Sequence, residues 1–238
     1  MNKLLTTLLL WVTIPSAFLS LAEASAEEAL PLVLIIGDSI SLGYTPYVAR
    51  ELEGKAVVEH HKGNAQHTGT GLAKIDQWIG DTQWDVIHFN WGLWDLCYRH
   101  PESKVQGKRD KVNGTLTTSL EQYEKNLERL VARLQKTDAK LIWASTTVVP
   151  ELEAGRIVGD DLKYNEVAAK VMEKHGIAVN DLNALSRQFA AELFTQPGDV
   201  HYTKEGYQKL AKQVAAHLSK ALELKEDVED EPTAKTKS

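Results

Sequence analysis

Short apolar runs alternate along the chain with longer stretches in which apolar residues recur every three or four positions. The short runs have the length of buried strands, and the longer stretches have the spacing of amphipathic helices. We expect strands at residues 31–37, 55–60, 84–90, 139–147 and 177–181. We expect helices at residues 44–54, 71–81, 117–137, 160–176 and 203–224.

The clearest helix is "TTSLEQYEKNLERLVARLQKT" at residues 117–137. Its leucine, tyrosine and valine residues fall on one face, and Thr117 or Thr118 is a suitable N-cap. Gly54 and Gly176 are placed to end two of the other helices.

Strands that alternate with helices predict a parallel sheet covered by helices on both faces. We therefore expect an α/β fold, a three-layer α/β/α sandwich with about five parallel strands. Ligands of such sheets bind outside the carboxyl ends of the strands, so the residues after each strand are the candidates for chemistry. These are residues 37–39, 60–71, 90–97, 146–150 and 181, together with residues 199–201 before the last helix.

The two ends of the chain differ in composition from the alternating part. Residues 1–26 combine Lys3, an apolar run and the small residues Ala24-Ser25-Ala26, which predicts a secretory signal peptide and an exported, periplasmic or extracellular protein. The alternative is an uncleaved N-terminal anchor, but the apolar run is short for a bilayer span. We expect a single domain at residues 27–224 and a disordered charged tail at 225–238.

The net charge argues against nucleic acid as a partner, and the cysteine content excludes disulfides as a source of stability. The formal net charge of −6 argues against nucleic-acid binding, which needs a basic face. Cys97 is the one cysteine, so the chain has no intramolecular disulfide and its stability depends on the core. We expect no cofactor, and no stable membrane insertion once the signal peptide has been cleaved.

The stretch "LVLIIGDSISLGY" places Ser39 directly after the first predicted strand. A serine at this position is either a helix N-cap or a nucleophile whose hydroxyl is exposed at a helix N-terminus. A nucleophilic serine needs a base, because its hydroxyl is weakly reactive at neutral pH. His201, just before the last predicted helix, is the candidate base, since that helix should begin at the same edge of the sheet.

Three segments together resemble the SGNH (GDSL-type) hydrolases: "IIGDSISLGY", "WDVIHFNWGLWDL" and "DVHYTKEGY". The resemblance extends from about residue 32 to residue 222 and implies the flavodoxin-like fold of that family. It also implies that Ser39 is the nucleophile and His201 its base. Backbone N–H groups and an asparagine side chain would form the oxyanion hole. The segment around residues 89–99 is similar to an exported bacterial branch of the superfamily.

The three segments correspond to the first (35–44), third (84–96) and fourth (199–207) conserved blocks of that family. The third and fourth blocks depart from the family pattern, and both departures concern the proposed site. Trp94 stands where the family has the oxyanion asparagine, so we expect Asn64 or Asn90 to take that role ahead of Trp94. The accompanying backbone donor is the N–H of Gly63 or of Ala65.

The carboxylate that orients the histidine is displaced as well. The family has an aspartate three residues before the histidine, whereas Gly198 occupies that position here and Asp199 lies two residues before His201. We expect Asp199 to orient His201, with a Ser–His dyad as the alternative. Asp38 and Asp95, which lie within the first and third blocks, are expected in the substrate-binding pocket.

Other residues near the predicted site have both a functional and a structural interpretation. Trp91 and Trp94 are suited to stacking on sugars, although we expect at least one of them in the core. The long loop that follows them is basic and would recognise a sulfate or a uronate, unless it is simply a solvated loop. Its basic residues are Arg99, His100, Lys104, Lys108, Arg109 and Lys111.

The histidines at 60, 61 and 67 are not expected to bind a metal ion. Adjacent histidines on a strand point to opposite faces of the sheet, and neither Glu nor Cys stands at zinc-like spacing. We interpret His67 as part of the pocket wall.

The leading hypothesis is an exported serine hydrolase that cleaves an acyl ester, with an acetyl group on a carbohydrate as the expected substrate. The alternative is a non-catalytic glycan-binding protein on the same scaffold, which the altered third and fourth blocks would explain. A flavodoxin-like binding protein is a weaker third hypothesis, because its phosphate loop would need more Gly, Ser and Thr than "GDSISLG" contains.

Overall fold

The computed structural model describes residues 29–224 of the 238-residue chain. The predicted signal peptide and the predicted charged tail lie outside the described residues. Between residues 29 and 224, no helix has both the length and the apolar character needed to cross a membrane.

Five parallel strands form the central sheet, in the order β2-β1-β3-β6-β7. The predicted α/β fold with a five-stranded parallel sheet is therefore confirmed. A separate two-stranded antiparallel ribbon, β4-β5, lies in the segment between β3 and the third helix. The strands are β1 (Leu32–Ile36), β2 (Val57–His60), β3 (Val86–Phe89), β4 (Tyr98–Arg99), β5 (Thr115–Leu116), β6 (Lys140–Ala144) and β7 (Ala178–Asn180).

Helices connect the strands and pack in two groups. The helices are α1 (Ser39–Glu51), α2 (Thr68–Ile79), α3 (Leu120–Leu134), α4 (Asp160–His175), α5 (Leu182–Ser186) and α6 (Lys204–Leu222). Helix α1 packs against α6, and α3 packs between α2 and α4. Short 3₁₀ turns lie at Gln106–Lys108 and Ala191–Leu193.

The centre of the sheet is the most buried part of the fold. Residues 33–36 of β1 are almost completely buried, as is every residue of β3, because both strands have neighbours on each side and helices above and below. Strand β2 lies at an edge, and its residues alternate between exposed and partly exposed. The inner position of β1 fixes the residues that follow it, Gly37 to Ser39, at the middle of the carboxyl edge.

Three local features differ from the sequence-based expectation. Helix α1 begins at Ser39 rather than at residue 44, and α3 is capped by the Ser119 hydroxyl, which accepts a hydrogen bond from the N–H of Gln122 at 3.2 Å. Thr117 and Thr118 are not the caps, because their N–H groups instead donate to the carbonyls of residues 97 and 95. The β4-β5 ribbon was not predicted, since two-residue strands are too short to produce a periodic pattern.

Candidate active site

The turn between β1 and α1 presents Ser39 as the first helical residue. Asp38 is the N-cap, and its carboxylate accepts a hydrogen bond from the N–H of Ile40 at 2.9 Å. Because Asp38 performs the capping, the hydroxyl of Ser39 is not needed for it. Of the two interpretations of Ser39, the structure therefore excludes the N-cap.

The hydroxyl of Ser39 is instead bonded to a histidine from the other end of the chain. Ser39 Oγ lies 2.8 Å from His201 Nε2, and His201 Nδ1 lies 2.6 Å from Asp199 Oδ1. The side chain of His201 is 35% exposed, so a substrate can reach both the serine and the histidine. Serine, histidine and carboxylate thus form one hydrogen-bonded chain at the carboxyl edge of the sheet.

The backbone around Gly198 explains how a carboxylate two residues away reaches the histidine. Gly198 has a φ of +76°, and a Cβ at this position would lie 2.6 Å from the carbonyl oxygen of Leu152. A side chain is therefore excluded at 198, where the family pattern would place the aspartate. The chain turns so that Asp199 Oδ1 also accepts the N–H of His201 at 3.1 Å.

Contact with His201 favours the ionised form of Asp199. Partial burial alone would raise the pKa of Asp199, but hydrogen bonds from the ring and the N–H of His201 hold it below its usual value. An ionised Asp199 accepts the Nδ1 proton of His201 and leaves Nε2 free to accept the proton of Ser39.

Hydrogen-bond donors are available at Ser39 itself and on the loop after β2. Among the described residues, no acceptor is bonded to the N–H of Ser39, which begins a helix, or to that of Gly63, which has a φ of +88°. Asn64 uses its Oδ1 to accept the N–H of Gln66 at 2.8 Å, which leaves its Nδ2 available. Asn64 and Ser39 line the same cavity.

The prediction that Ala65 or Asn90 donates to the oxyanion is wrong. The N–H of Ala65 donates to the carbonyl of Gly37 at 2.9 Å. Asn90 Nδ2 donates to the carbonyl of Ala144 at 2.7 Å and to Thr146 Oγ1 at 3.3 Å, so its amide bridges β3 and β6. Both donors are used within the fold and cannot bind an oxyanion.

Asp95 is also not a substrate-binding residue. It is completely buried, and its carboxylate accepts the hydroxyl of Thr68 at 2.6 Å and the N–H of Thr68 at 3.0 Å. This contact ties the third block to the beginning of α2. Asp38 does line the cavity, but it is 4% exposed and its carboxylate is the helix cap.

Burial raises the pKa of Asp95 to about 7, although its hydrogen bonds from Thr68 and Thr118 oppose the shift. Between about pH 4 and pH 7 the folded protein therefore holds a proton that the unfolded chain has released, so the free energy of unfolding falls as the pH rises through this range. One pKa unit corresponds to about 1.4 kcal/mol. We expect Asp95→Asn to lose this contribution, so that between pH 4 and pH 7 its Tm rises more, or falls less, with pH than the Tm of the wild type.

Thermal unfolding of both proteins between pH 4 and pH 8 measures this difference. The matched control is Asp138→Asn, which changes an exposed aspartate and should retain the slope of the wild type. Equal slopes for wild type and Asp95→Asn would contradict the assignment.

A cavity of about 350 Å³ opens above Ser39 and His201. Trp94 lines it, and the Arg99 guanidinium carbon lies 4.1 Å from the centroid of the indole ring, so one face of Trp94 is already covered. Trp91 is 1% exposed and belongs to the core. Of the two tryptophans that are suited to stacking on sugars, Trp94 is therefore the one that lines the cavity.

Arginines dominate the rest of the cavity wall. Of the six basic residues in the predicted loop, Arg99 and Arg109 line the cavity, whereas the other four do not. Arg156 joins them from the loop between β6 and α4. Arg156 was not predicted as a site residue, because that loop has neither periodicity nor a recognisable motif.

The histidine that ends β2 and the two that follow it make structural contacts. The rings of His60 and His61 are stacked with their centroids 4.5 Å apart, so these neighbours do not point to opposite faces as expected. His60 Nε2 lies 2.7 Å from Ser41 Oγ, and His61 is buried with its ring centroid 4.3 Å from that of Trp78. His67 caps α2, where its Nδ1 accepts the N–H of Gly69 at 3.1 Å. The expectation that His67 forms the pocket wall is wrong, since it is not among the residues that line the cavity.

Residues 35–209 match the sequence model of a family described as the GDSL-like lipase/acylhydrolase family. The match includes Ser39, Asp199 and His201 and covers more than half of the chain. No curated protein resembles the chain closely enough in sequence to count as a relative.

Several solved structures share the fold at low sequence identity. The acetyl xylan esterase AlAXEase superposes with a TM-score of 0.61 at 16% identity, over 79% of this chain and 99% of the other. A lipase/acylhydrolase from Enterococcus faecalis gives a TM-score of 0.63 at 17% identity, over 80% and 96%. A catalytic mutant of an acetylxylan esterase from Geobacillus stearothermophilus gives 0.62 at 15%, over 79% and 94%.

Proposed function

Because the chain belongs to the GDSL-like lipase/acylhydrolase family and is thus a hydrolase of ester bonds, we propose that it removes acetyl groups from carbohydrates outside the cytoplasm. The observation that carries the catalytic part of this proposal is the hydrogen-bonded chain from Ser39 through His201 to Asp199 at the floor of an open cavity.

In the first half of the reaction, Ser39 Oγ attacks the ester carbonyl and His201 Nε2 takes the hydroxyl proton. Negative charge develops on the carbonyl oxygen, and the N–H groups of Ser39 and Gly63 and the amide of Asn64 stabilise it. His201 then gives its proton to the departing sugar oxygen, and the acetyl group stays on Ser39. Asp199 stabilises the imidazolium while it exists.

In the second half, a water molecule takes the place of the sugar alcohol. His201 accepts a proton from the water, and the resulting hydroxide attacks the acetyl group on Ser39. The tetrahedral intermediate collapses, His201 returns the proton to Ser39 Oγ, and acetate leaves. The same donors bind the oxyanion in both halves, so one preorganised site serves two transition states.

The lining of the cavity supports a small acyl group and a polar alcohol. Asn64, Gln106 and three arginines occupy much of the wall, and a volume of about 350 Å³ is small for a long acyl chain held beside an alcohol. Two of the similar structures described above are acetyl xylan esterases, which supports a carbohydrate ester as the substrate. The exposed part of Trp94 offers a surface for a sugar ring.

Comparison of acyl chain lengths tests the proposed substrate class. We expect kcat/KM for p-nitrophenyl acetate to exceed that for p-nitrophenyl palmitate by about a hundredfold or more, because a cavity of about 350 Å³ that is lined by three arginines has no room for a long acyl chain beside the alcohol. Acetylated xylo-oligosaccharides should release acetate, measured by enzyme-coupled assay. A preference for palmitate, or no acetate from any acetylated oligosaccharide, would contradict the proposal.

The glycan-binding alternative is distinguished by a serine-directed fluorophosphonate probe. Labelling that requires Ser39 supports an enzyme, whereas an unlabelled protein that binds glycans supports a binding protein.

Export is proposed from the sequence alone. Lys3, the apolar run and Ala24-Ser25-Ala26 support cleavage after Ala26, and an acetylated polysaccharide outside the cell is a suitable substrate for an exported esterase.

A further inference from the structure

Three arginines line the cavity that contains Ser39 and His201: Arg99, Arg109 and Arg156. Arg99 belongs to β4, and Arg109 follows the 3₁₀ turn in the same insertion, by which we mean residues 90–119 between β3 and α3. Arg156 comes from another part of the chain, just before α4. Like charges gathered beside a nucleophile repel one another, so their presence needs a compensating negative charge.

The protein supplies only part of that compensation through Glu153. This carboxylate is completely buried and accepts Arg109 Nη1 at 2.7 Å, Arg156 Nη1 at 2.8 Å and the N–H of Gly155 at 2.6 Å. One negative charge therefore serves two guanidinium groups. Glu153 holds both arginines in fixed positions and leaves an excess of positive charge on the wall.

Arg99 has no carboxylate partner within ion-pair distance in the part of the chain that the structure describes. Its Nη1 donates to the carbonyl oxygen of Gly107, its guanidinium covers Trp94, and its Nε is buried without an acceptor. Burial lowers the pKa of Arg99, and the neighbouring charges of Arg156 and Arg109 act in the same direction, whereas Cys97 and Glu153 oppose the shift. Arg99 thus shares the cavity wall with two other guanidinium groups and has no ion-pair partner of its own among the described residues.

The one carboxyl group that lines the cavity does not offset this excess at Arg99. Asp38 is buried beneath Ser39 and is used as the helix cap, and burial raises its pKa while Arg156 and His201 oppose the shift. Asp199 is bonded to His201. Both carboxylates are bound to groups other than Arg99.

Donors remain available on each of the three guanidinium groups. Nη2 of Arg99, Arg109 and Arg156 has no protein acceptor among residues 29–224. Guanidinium groups with free N–H donors and uncompensated charge are the usual partners of carboxylate and sulfate groups.

We propose that Arg99, Arg109 and Arg156 form an anion subsite that binds a carboxylate or sulfate group on the sugar chain that carries the ester. The preferred substrates are therefore acetylated acidic glycans rather than neutral ones. This inference rests on the proposed esterase function and specifies its substrate class. Arg109 and Arg156 are fixed by Glu153, whereas Arg99 is the arginine that an incoming anion would neutralise.

The ratio of kcat/KM for an acidic acetylated oligosaccharide to kcat/KM for a neutral one tests the subsite. The wild type should cleave an acetylated oligogalacturonide or an acetylated sulfated oligosaccharide with a kcat/KM about ten- to a hundredfold above that for an acetylated xylo-oligosaccharide. Comparison of the first two substrates distinguishes a carboxylate from a sulfate. Arg99→Gln should reduce this ratio to near one, mainly through a higher KM for the acidic substrate.

The control variant is Lys104→Gln, which removes an exposed positive charge from the same insertion at a position that does not line the cavity. It should keep the ratio of the wild type. Added salt should raise KM for the acidic substrate and leave KM for the neutral one unchanged, because screening weakens only the charged contact.

Binding without turnover separates this inference from the esterase function. Calorimetric titration of unacetylated oligogalacturonide and of an unacetylated sulfated oligosaccharide into the intact protein should show binding of at least one, and Arg99→Gln should abolish it. If neither binds and the wild type does not prefer acidic substrates, the anion subsite is refuted even if neutral acetylated sugars are cleaved. If an acidic oligosaccharide binds through Arg99 but no acetylated sugar is cleaved, the subsite stands and the proposed function fails.

Discussion

Replacement of Ser39 by alanine should lower kcat for p-nitrophenyl acetate by roughly 10⁴- to 10⁶-fold and leave the Tm close to that of the wild type. The loss is large because, among residues 29–224, no other hydroxyl is bonded to the imidazole ring of His201, so the acyl-enzyme cannot form. The fold is spared because Asp38, not Ser39, caps α1, and alanine is well tolerated in the first turn of a helix. Steady-state kinetics and thermal unfolding of the same preparation measure both effects.

Ser219→Ala is the matched control for this substitution. Ser219 lies near the end of α6, outside the catalytic cavity, and its replacement should change neither kcat nor the Tm appreciably. Retention of more than about a tenth of the wild-type kcat in Ser39→Ala would show that another group is the nucleophile. Ser41 is not that group, because it is buried and its hydroxyl is bonded to the carbonyl of Asp38 and to His60.

The site residues whose positions follow from the order of strands and helices could be predicted from the sequence. Buried strands and amphipathic helices have distinct periods, and a parallel sheet brings the ends of its strands to one edge whatever the loops contain. Ser39 follows the inner strand β1, and His201 precedes α6, which packs on α1. Their meeting therefore depends on the topology and needs no detail of side-chain packing.

Residues whose role depends on the direction of a side chain could not be predicted in the same way. Asn90 and Asn64 both follow strands at the carboxyl edge, yet Asn90 turns towards β6 and Asn64 lines the cavity. Asp95 lies in the block nearest the site but is directed towards Thr68 and away from the substrate. A sequence specifies which amide or carboxylate follows a strand, whereas the packing of neighbouring strands and helices decides where it points.

The position of the orienting carboxylate shows how backbone conformation can compensate for a shifted residue. Spacing alone suggested a dyad as the alternative, since the aspartate is one residue closer to His201 than in the family pattern. The left-handed conformation of Gly198 changes the path of the chain and brings Asp199 to His201 Nδ1. A glycine in the sequence suggests such a conformation, but the neighbouring loop decides it. Here the carbonyl oxygen of Leu152 leaves no room for a side chain at residue 198.

Replacement of His201 by alanine should lower kcat about as much as Ser39→Ala, and the double variant should be no worse than either single variant. The two side chains are bonded at 2.8 Å and act in one proton transfer, so removing either one removes the whole nucleophilic step. The residual rate of all three variants should be equal, because it comes from the oxyanion donors and from substrate binding alone. Single-turnover kinetics with p-nitrophenyl acetate would measure these rates.

His217→Ala is the control, since this histidine lies on α6, is bonded to the carbonyl of Gln213 and is not part of the catalytic cavity. It should retain nearly all of the activity, which would show that loss of a histidine as such does not matter. If the effects of Ser39→Ala and His201→Ala instead multiplied in the double variant, the two residues would act in separate steps. The bond between Ser39 and His201 would then be structural, and a different base would have to activate the nucleophile.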